Sequence, residues 1–521
     1  MASNKTPGVY INEVNAFPSS VIPVATAVPA FIGYTPQASY EGKSLSNQAI
    51  KISSLADFKA YYCLPDSPTK PVRQYHPEYY LVQQSAQPAS GNYLNINGSY
   101  YSLLPDPSTI YYLYNSVQLF YQNGGKEAYI VSIGTYGAPS GKPMALGAPL
   151  INPNVQLSDL QRGLALLQKE QEPTMYICPE ATLLSLAENG TLMQSMVLQS
   201  SSLQTSISIF DIIGGNAPDP TLYVNDIANF RNNTGINGLN YGVAYYPFIS
   251  TEVMQSSDVD YTNLFGGDVA QLAPIINPPS NPDPSVTAIL ANIQNPQSGL
   301  TVAQNNSALL AASQNYKAIM QTILGTVNIL PPSGAMAGVI TTVDYKEGVW
   351  RAPANVDITG ASTVTINLND DQQANLNVDA VSGKSINAIR NFPAMGVVVW
   401  GARTLDGNSL DWRYVNVRRT MIFIERSCKL AAQAYMFEPN VAGTWMAITT
   451  MLSNFLTDQW KEGAFVGATP AEAFLVSCGL GSTMTGEDIL NGFMNVTIMV
   501  AVQRPAEFIE ITFQQQMAAP N

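Results

Sequence analysis

The sequence predicts a multidomain α/β protein, α+β overall, with an α/β core, a C-terminal α/β domain and extended strand arms at both ends. Between residues 111 and 248, apolar strand-like segments alternate with amphipathic helix-like segments, which is typical of a mostly parallel sheet. The chain has 521 residues, more than one hydrophobic core usually accommodates, so two or three domains are expected. Both ends carry strand-like segments, and the N-terminal one has no hairpin partner beside it.

The N-terminal arm is expected to span residues 1–29 and begins with a strand-like stretch, TPGVYINEV, at residues 6–14. The stretch that follows, AFPSSVIPVATAVPA, contains three prolines and many small residues, which favour an extended chain over a helix. Fifteen extended residues span roughly 50 Å, enough to reach a neighbouring subunit. Because the unpaired backbone donors and acceptors of a strand require a partner, residues 6–14 are expected to pair with a strand that does not follow them directly in the sequence.

The α/β core is expected to span residues 30–345. Its first predicted strand is AFIGYT, and a helix near residue 111 is expected to end at the glycine pair 124–125. The other predicted elements are an amphipathic helix, Leu157–Pro173, and buried strands at AYIVSIG, MYICP, SISIFDIIG and YGVAYYPF. Two insertions are expected, at residues 36–110, which lack periodicity, and at about 250–330, of which residues 250–305 look loop-like around INPPSNPDP.

The C-terminal domain is expected to span residues 346–505, followed by an arm at 506–521. Residues 356–378 alternate as in a β-hairpin, and long helices are predicted at Tyr414–Tyr435 and Gly443–Glu462. The closing strand pair is FMNVTIMVAVQ and AEFIEITFQQQ. The second of these has the period of a half-buried strand, because one face carries Ile509, Ile511 and Phe513 and the other carries Glu510, Thr512 and Gln514.

Composition argues against several classes of function. Only 12% of the residues are charged, about half the usual share, and such a surface suits coverage by other protein. The net charge of −13 argues against nucleic-acid binding. The sequence contains no visible secretory signal and no apolar run of about 18 residues, so cytoplasmic synthesis without membrane insertion is expected. Four scattered cysteines without a CxxC pair indicate isolated buried thiols.

The sequence contains no pattern of catalytic or metal-ligating residues, so neither enzyme activity nor a cofactor or metal is expected. The single histidine, His76, excludes a histidine-rich zinc site and has no nucleophile motif nearby, which disfavours a hydrolase. The glycine-rich run Cys478–Gly492 lacks the lysine of a phosphate-binding loop, and a short helix capped by Thr485 explains it better. The acidic pair Asp370–Asp371 lies in a turn-like stretch and is expected to be solvated.

One segment is basic in this acidic chain. Between residues 403 and 429, three acidic residues accompany six basic ones, which are Arg403, Arg413, Arg418, Arg419, Arg426 and Lys429. One interpretation is a solvated helix face whose charges pair with each other. The other is a contact with an acidic surface on a partner or on another copy of the chain.

Several stretches, taken in order, resemble the contractile tail sheath proteins of phages, R-type pyocins and phage-tail-like contractile injection systems. The first group is TPGVYINEV, VQLFYQNGGKEAYIVSI, MYICPE, YYPF and SGAMAGVITTVDYKEGVWRAPAN. The C-terminal group is NAIRNFPAMGVVVWGARTL, DWRYVNVRR, YMFEPN, TWMAI, GAFVGATPAEAFLV and RPAEFIEITFQQQ. Each stretch alone is a weak signal, but their order is specific. The two insertions do not resemble the common core and are expected on the outer surface.

The resemblance implies a structural protein that polymerises helically as stacked hexameric rings around an inner tube and contracts to drive that tube through a target envelope. The implied partners are other sheath copies, the inner tube protein, baseplate and terminal cap proteins and, in some systems, sheath paralogues. Assembly is then expected in the bacterial cytoplasm, within a particle that is later released or stays anchored to the envelope. Which contractile system and which paralogue this chain represents stays open.

The resemblance also implies which residues join subunits. The N-terminal arm of one copy and the C-terminal arm of another are expected to add strands to the C-terminal domain of a third. Carried onto this chain, the donated strands are Gly8, Val9, Tyr10, Ile11, Asn12, Glu13 and Val14, and Glu507, Phe508, Ile509, Glu510, Ile511, Thr512, Phe513 and Gln514. Candidate contacts with the tube or with other subunits are Arg418, Arg419, Trp460, Lys461 and Glu462. A secreted or surface-array protein that donates strands is the alternative, against which the missing signal peptide counts.

Overall fold

The computed structural model describes residues 20–65, 72–88, 91–295, 299–508 and 510. These residues divide into two compact units. The central unit comprises residues 25–419 and the described residues from 504 onwards, and the C-terminal unit comprises residues 20–24 and 420–503. The boundary between the two units follows Arg419, whereas the domain boundary expected from the sequence follows residue 345.

The described secondary structure is as follows, in chain order. The strands of the central unit are β1 Pro29–Thr35, β2 Ser39–Tyr40, β3 Lys43–Ser44, β4 Ala49–Ile52, β5 Tyr79–Gln84, β6 Tyr93–Ile96, β7 Ser99–Pro105, β8 Ala128–Thr135, β9 Met175–Ile177, β10 Ile207–Asp211, β11 Gly242–Tyr246, β12 Ile249–Thr251, β13 Ile329–Leu330, β14 Val356–Asp357, β15 Ala361–Val364, β16 Asn387–Phe392 and β17 Gly396–Trp400. Its helices are α1 Leu55–Tyr62, α2 Leu113–Gln122, α3 Leu157–Leu166, α4 Leu186–Leu203, α5 Tyr223–Asn233, α6 Val269–Ile276, α7 Pro284–Gln294, α8 Val302–Ala312, α9 Gln314–Val327, α10 Ser333–Glu347 and α11 Asp370–Asn377. Helix α12, Val415–Ala432, begins in the central unit and ends in the C-terminal unit. The C-terminal unit also contains α13 Ala442–Lys461, α14 Pro470–Ala473, β18 Phe474–Ser477, α15 Gly486–Leu490 and β19 Thr497–Val500.

A nine-stranded sheet in the order β14-β17-β16-β11-β10-β9-β1-β8-β4 organises the central unit. Its inner pairs, from β8 across to β16, are parallel, and the strands at its two ends pair antiparallel. All seven residues of β1 are buried. Because such a strand needs cover on both faces, its apolar run is typical of a parallel sheet between helices. The predicted mostly parallel α/β sheet is confirmed, and strands from beyond residue 345 belong to it.

Helices α2 and α10 pack with their backbones close together. A Cβ placed on Gly334 of α10 would lie 2.5 Å from the carbonyl oxygen of Ser116, and a Cβ on Gly338 would lie 2.5 Å from that of Phe120. Positions four residues apart share one helix face, so the two glycines form a smooth strip against α2. A side chain on this strip would force the helices apart.

The two expected insertions fold together. The first contains a three-stranded antiparallel sheet in the order β5-β7-β6, and the second contains α6, α7, α8 and α9. Asn263 donates to the carbonyl oxygen of Pro77 at 2.9 Å, and Tyr79 forms a β-bridge with Leu264. The loop-like interpretation of residues 250–305 is wrong, because the turn-forming residues there cap helices: Asp268, Asp283 and Thr301 each accept a backbone N–H at a helix start.

Residues 356–378 do not form the predicted hairpin. Strand β14 pairs with β17, and strand β15 pairs with β12. The second half of the stretch is helix α11, whose first turn contains Asp370 and Asp371 and whose N-cap Asn369 accepts the N–H of Gln372. The side chain of Asp370 is 94% exposed, so it is solvated as expected, although it lies in a helix and pairs with Arg390.

The C-terminal unit consists of helices beside one short hairpin. Helices α12 and α13 agree with the two long helices predicted from the sequence, and Phe423 of α12 packs against Phe455 of α13 with ring centroids 6.0 Å apart. Strand β19 pairs antiparallel with β18. The sequence predicted a strand pair between the segment that contains β19 and the terminal segment AEFIEITFQQQ, most of which lies outside the described residues.

Candidate assembly site

The basic segment contributes two buried arginines that hold the starting points of the two arms. Arg419, whose side chain is 3% exposed, donates to the two carboxylate oxygens of Asp344 at 2.7 and 2.6 Å. Its second terminal nitrogen also donates to the carbonyl oxygen of Thr26 at 3.0 Å. Because Thr26 lies just before β1, this contact attaches the segment that leads to the N-terminal arm to the first turns of α12, through the arginine that also binds Asp344 of α10.

The second arginine, Arg403, binds Glu507 at the start of the C-terminal arm. The Arg403 guanidinium donates to the Glu507 carboxylate at 2.6, 2.9 and 3.1 Å, Asn377 donates at 2.7 Å, and the Tyr414 hydroxyl donates at 3.1 Å. We call this contact the Glu507 anchor. Burial opposes ionisation of Glu507, but the hydrogen bonds from Arg403 and Asn377 and the arginine charge together lower the pKa of the carboxyl below its usual value.

A third arginine, Arg418, packs against aromatic rings. Its guanidinium carbon lies 4.3 Å from the ring centroid of Trp412 and 4.7 Å from that of Tyr241, and the residue is 3% exposed. The solvated-face interpretation is therefore wrong for Arg403, Arg418 and Arg419. The burial of Arg418 and Arg419 also disfavours them as contacts with the tube or with another subunit, since both side chains are occupied inside the chain.

The remaining predicted site residues lie at the ends of the chain and on α13. Residues 8–14, Ile509 and residues 511–514 lie outside the described residues. Phe508 and Glu510 are exposed. On α13, Trp460 is half-buried and donates to the carbonyl oxygen of Gly467 at 3.1 Å. Lys461 and Glu462 are exposed at the end of that helix.

The C-terminal unit exposes much apolar surface. Leu475 of β18 faces Met499 of β19 across the hairpin, and both are more than half exposed. Within the described residues this sheet has two strands, so both outer edges present unpaired backbone groups. Its exposed large apolar residues are Ile22, Leu430, Met436, Phe437, Val441, Met446, Val466, Leu475, Leu480, Leu490, Phe493 and Met499. Two-stranded sheets are marginal alone, so further strands would stabilise this one.

Phe437 has both an unusual backbone and an unusual exposure. Its φ is +68°, in the left-handed region that a phenylalanine rarely adopts, and its side chain is 99% exposed. Nearby, Asn440 donates to the carbonyl oxygen of Phe493 at 2.8 Å and accepts from the indole nitrogen of Trp445 at 2.7 Å. The Phe437 ring therefore contributes almost no buried surface to the fold of the single chain.

The single histidine of the chain lies in a polar cluster between the two insertions. His76 contacts the Thr262 hydroxyl at 2.9 Å, beside the ion pair of Arg73 and Asp260, and burial together with the Arg73 charge lowers its pKa. This cluster joins the two insertions. The described part of the chain contains no group of three or more His, Cys, Asp or Glu residues placed to hold a metal. In the same residues, no helix is long and apolar enough to cross a bilayer.

Two buried carboxyl groups of the central unit stand at helix starts. Glu180 accepts the N–H of Leu113, at the start of α2, at 2.8 Å. Asp211 accepts the N–H and the hydroxyl of Ser333, at the start of α10, at 2.9 and 2.5 Å. Burial raises the pKa of each carboxyl to about 7. Their place inside the packed core indicates a structural role.

Comparisons with known proteins find similarity to phage tail sheath proteins. Residues 285–405 match the central domain of phage tail sheath proteins, and residues 408–516 match the phage tail sheath C-terminal domain. The helical sheath of the anti-feeding prophage, in its contracted state, is 25% identical, with a TM-score of 0.57 over 99% of this chain and 100% of its own. The chain is therefore similar to contractile tail sheath proteins, in the sequence of these two domains and in its fold.

Two further proteins are similar to this chain, the first of them in its fold. The sheath complex of the extracellular contractile injection system PVC, in its contracted state, is 24% identical, with a TM-score of 0.58 over 99% of both chains. The tail sheath protein of Vibrio phage KVP40 is 24% identical over 181 residues, which are 32% of this chain and 26% of the phage protein. The chain therefore aligns with about a quarter of the phage relative and with 99–100% of the length of the two injection-system sheaths.

Sequence reasoning found the arginines of this chain but missed what they bind. For Asp344 the sequence contained an indication, because it is the first charged residue of a helix whose preceding eleven residues carry no charge. Asn377 and Tyr414 carried none, because polar residues of these types are common on surfaces. The fold alone brings them to Glu507.

Proposed function

We propose that this chain is the structural subunit of a contractile sheath, which polymerises helically as stacked hexameric rings around an inner tube and contracts to drive the tube through a target envelope. The observation that carries the proposal is the similarity over 99% of the chain to the helical sheath of the anti-feeding prophage. The proposed role is structural, without catalysis. The proposed partners are other sheath copies, the inner tube protein, the baseplate and a terminal cap.

The surface of the C-terminal unit supports this proposal. A hairpin with two open edges accepts added strands through backbone hydrogen bonds, and its exposed apolar side chains offer specificity to the strand that arrives. We propose that Gly8–Val14 of one copy and the chain beyond Glu507 of another supply those strands. Such bonds hold neighbours together while the bodies of the subunits rotate, because the linkers absorb the movement.

Electron microscopy of the full chain, expressed with and without its tube protein, tests the proposal. Helical tubes or stacked rings are the expected result. The arm is tested by substituting proline for Val9 and Ile11, which removes backbone donors without shortening the chain. The matched control substitutes threonine at the same positions, because threonine retains the donors and suits a strand.

The proline variant should keep the circular dichroism spectrum of the monomer and lose extended sheaths, while the threonine variant should keep both. Extended sheaths of normal length from the proline variant would contradict strand donation by this arm. A wild-type chain that stays monomeric beside its tube protein, across a range of concentrations and salt, would contradict the sheath function itself.

A further inference from the structure

The Glu507 anchor joins three separate parts of the central unit. Asn377 is the last residue of α11, Arg403 follows β17, and Tyr414 directly precedes α12. The chain returns to the central unit from residue 504 onwards, after residues 420–503 have formed the C-terminal unit. The contact therefore attaches the end of the described chain to the central unit rather than to the C-terminal unit that precedes it in sequence.

Burial makes this contact firmer than a surface ion pair. The Arg403 side chain is 4% exposed and that of Glu507 is 20% exposed. A buried guanidinium needs its counter-charge, and charge-assisted hydrogen bonds with several donors are the strong ones in proteins. By contrast, the neighbouring pair of Arg504 and Asp411 is 3.6 Å long and exposed, so it contributes little.

Glu507 is half-buried and held by the anchor, whereas the residues described after it are exposed. Phe508, the next residue, is 76% exposed, and Glu510 is exposed as well. Arg419 plays the corresponding part at the other end through the carbonyl oxygen of Thr26, and the preceding residue, Ala25, is exposed. Each arm thus leaves the central unit next to one buried arginine.

We propose that the Glu507 anchor is a positioning contact that fixes the point at which the C-terminal arm leaves the central unit. The donated strand then begins after Glu507, and the length of free arm sets how far that strand can extend from the central unit. The proposal rests on the proposed sheath function only for the purpose of the arm, not for the existence of the anchor. Releasing the anchor would add residues 504–507 to the free arm, which lengthens its reach by roughly 13 Å. A neighbour bound through the arm would then be held at a less defined distance.

Limited chymotrypsin cleavage of the full-length monomer after Phe508 tests the anchor directly. A protease needs several extended residues on both sides of the bond it cuts, and the wild-type anchor withholds those before it. Glu507→Gln removes the charge and keeps the size, and it should raise the cleavage rate at Phe508 about tenfold. Tyr414→Phe removes one donor and should raise the rate by a smaller factor.

The matched control is Glu510→Gln, which makes the same change of charge on the same arm without touching the anchor. It should leave cleavage after Phe508 at the wild-type rate. Cleavage elsewhere in the chain and the thermal midpoint of the main transition should stay the same in Tyr414→Phe, which separates a local release from unfolding. Equal cleavage rates in Glu507→Gln, Tyr414→Phe and Glu510→Gln would overturn the anchor.

Sheath assembly by the same variants tests the purpose of the contact. Glu507→Gln should give no extended sheaths or sheaths of irregular subunit spacing by electron microscopy, and Glu510→Gln should give regular ones. Rapid cleavage together with regular sheaths in Glu507→Gln would overturn the positioning role and leave the anchor standing. Failure of the wild-type chain to form any sheath would overturn the proposed function while the cleavage result still holds.

Discussion

The Arg419 guanidinium and the Asp344 carboxylate form two parallel hydrogen bonds, of 2.7 and 2.6 Å, between the start of α12 and the end of α10. The two side chains are 3% and 4% exposed. A charge this far from water is tolerated only beside its counter-charge. The pair therefore joins the last helix of the central unit to its core, and it cannot lose one member without a large penalty.

We expect Asp344→Asn to lower the free energy of unfolding by about 3–5 kcal/mol, because it leaves the Arg419 charge buried without compensation. Urea denaturation followed by circular dichroism measures the change. Asp370→Asn is the control, since Asp370 also pairs with an arginine but is 94% exposed, and its effect should stay within about 0.5 kcal/mol. Equal denaturation midpoints for the two variants would contradict the importance of the buried pair.

We expect Gly338→Ala to destabilise the central unit by about 1–3 kcal/mol, although alanine favours helices. The added Cβ would lie 2.5 Å from the carbonyl oxygen of Phe120 and 2.6 Å from the Cβ of Asn123, so α2 and α10 must move apart. Gly325→Ala in α9 is the control, because a Cβ there meets nothing within 4 Å and should stabilise the helix by about 1 kcal/mol. The same sign for both substitutions in thermal denaturation would contradict this packing.

The sheet of the central unit could be predicted from the sequence, whereas the burial and the binding partners of the arginines in the basic segment could not. Buried strands such as β1 carry an apolar run that reveals both their type and their burial. Arginines carry no such signal, since a guanidinium on a surface and one paired inside the fold look alike in sequence. Arg403 and Arg419 depend on partners 104 and 75 residues away, and only the fold brings those partners to them.

The helices of the second insertion were missed for a different reason. Proline, asparagine and aspartate around residue 280 indicate turns, and the structure uses the same residues to begin helices. Asp283 caps α7 and Pro284 occupies its first turn, where a missing N–H costs nothing. Of the candidate site, sequence reasoning could propose the arms, while the contacts at their starting points required the folded chain.

We expect Phe437→Asn to leave the monomer as stable as the wild type or slightly more stable, because asparagine tolerates a φ of +68° better than phenylalanine does. The exposed ring contributes no burial to the single chain, so its loss should lower self-association instead. Sedimentation velocity and thermal denaturation measure the two effects. Phe455→Ala is the contrast, since that ring is buried and its loss should cost about 3–5 kcal/mol. A large loss of monomer stability in Phe437→Asn would contradict the assigned exposure.

The stability of the central unit should rise on mild acidification. Burial raises the pKa of Glu180 from 4.5 and that of Asp211 from 3.8 to about 7 in the folded chain. A carboxyl whose pKa is raised by folding stabilises the fold fully below its unfolded pKa, and this contribution is lost as the pH rises through about 7. The free energy of unfolding should therefore fall between pH 5 and pH 8, by up to about 1.4 kcal/mol for each pH unit and group.

Glu180→Gln removes one of these two titrations and should flatten the dependence of the urea midpoint on pH between 5 and 8. The control is Asp371→Asn, an exposed carboxylate of the same unit, which should retain the wild-type slope.

The Glu507 anchor should respond in the opposite direction, because the pKa of its carboxyl is lowered by folding and its contribution is lost only as the pH falls below the ordinary value of 4.5. In acid, cleavage after Phe508 is measured with pepsin, because chymotrypsin is inactive there. Relative to the Glu507→Gln variant at the same pH, cleavage of the wild type should stay slow near pH 5 and accelerate below pH 4.5. A cleavage rate that followed the unfolding midpoint across the whole range would mean that the arm is released by unfolding of the central unit and not by protonation of Glu507.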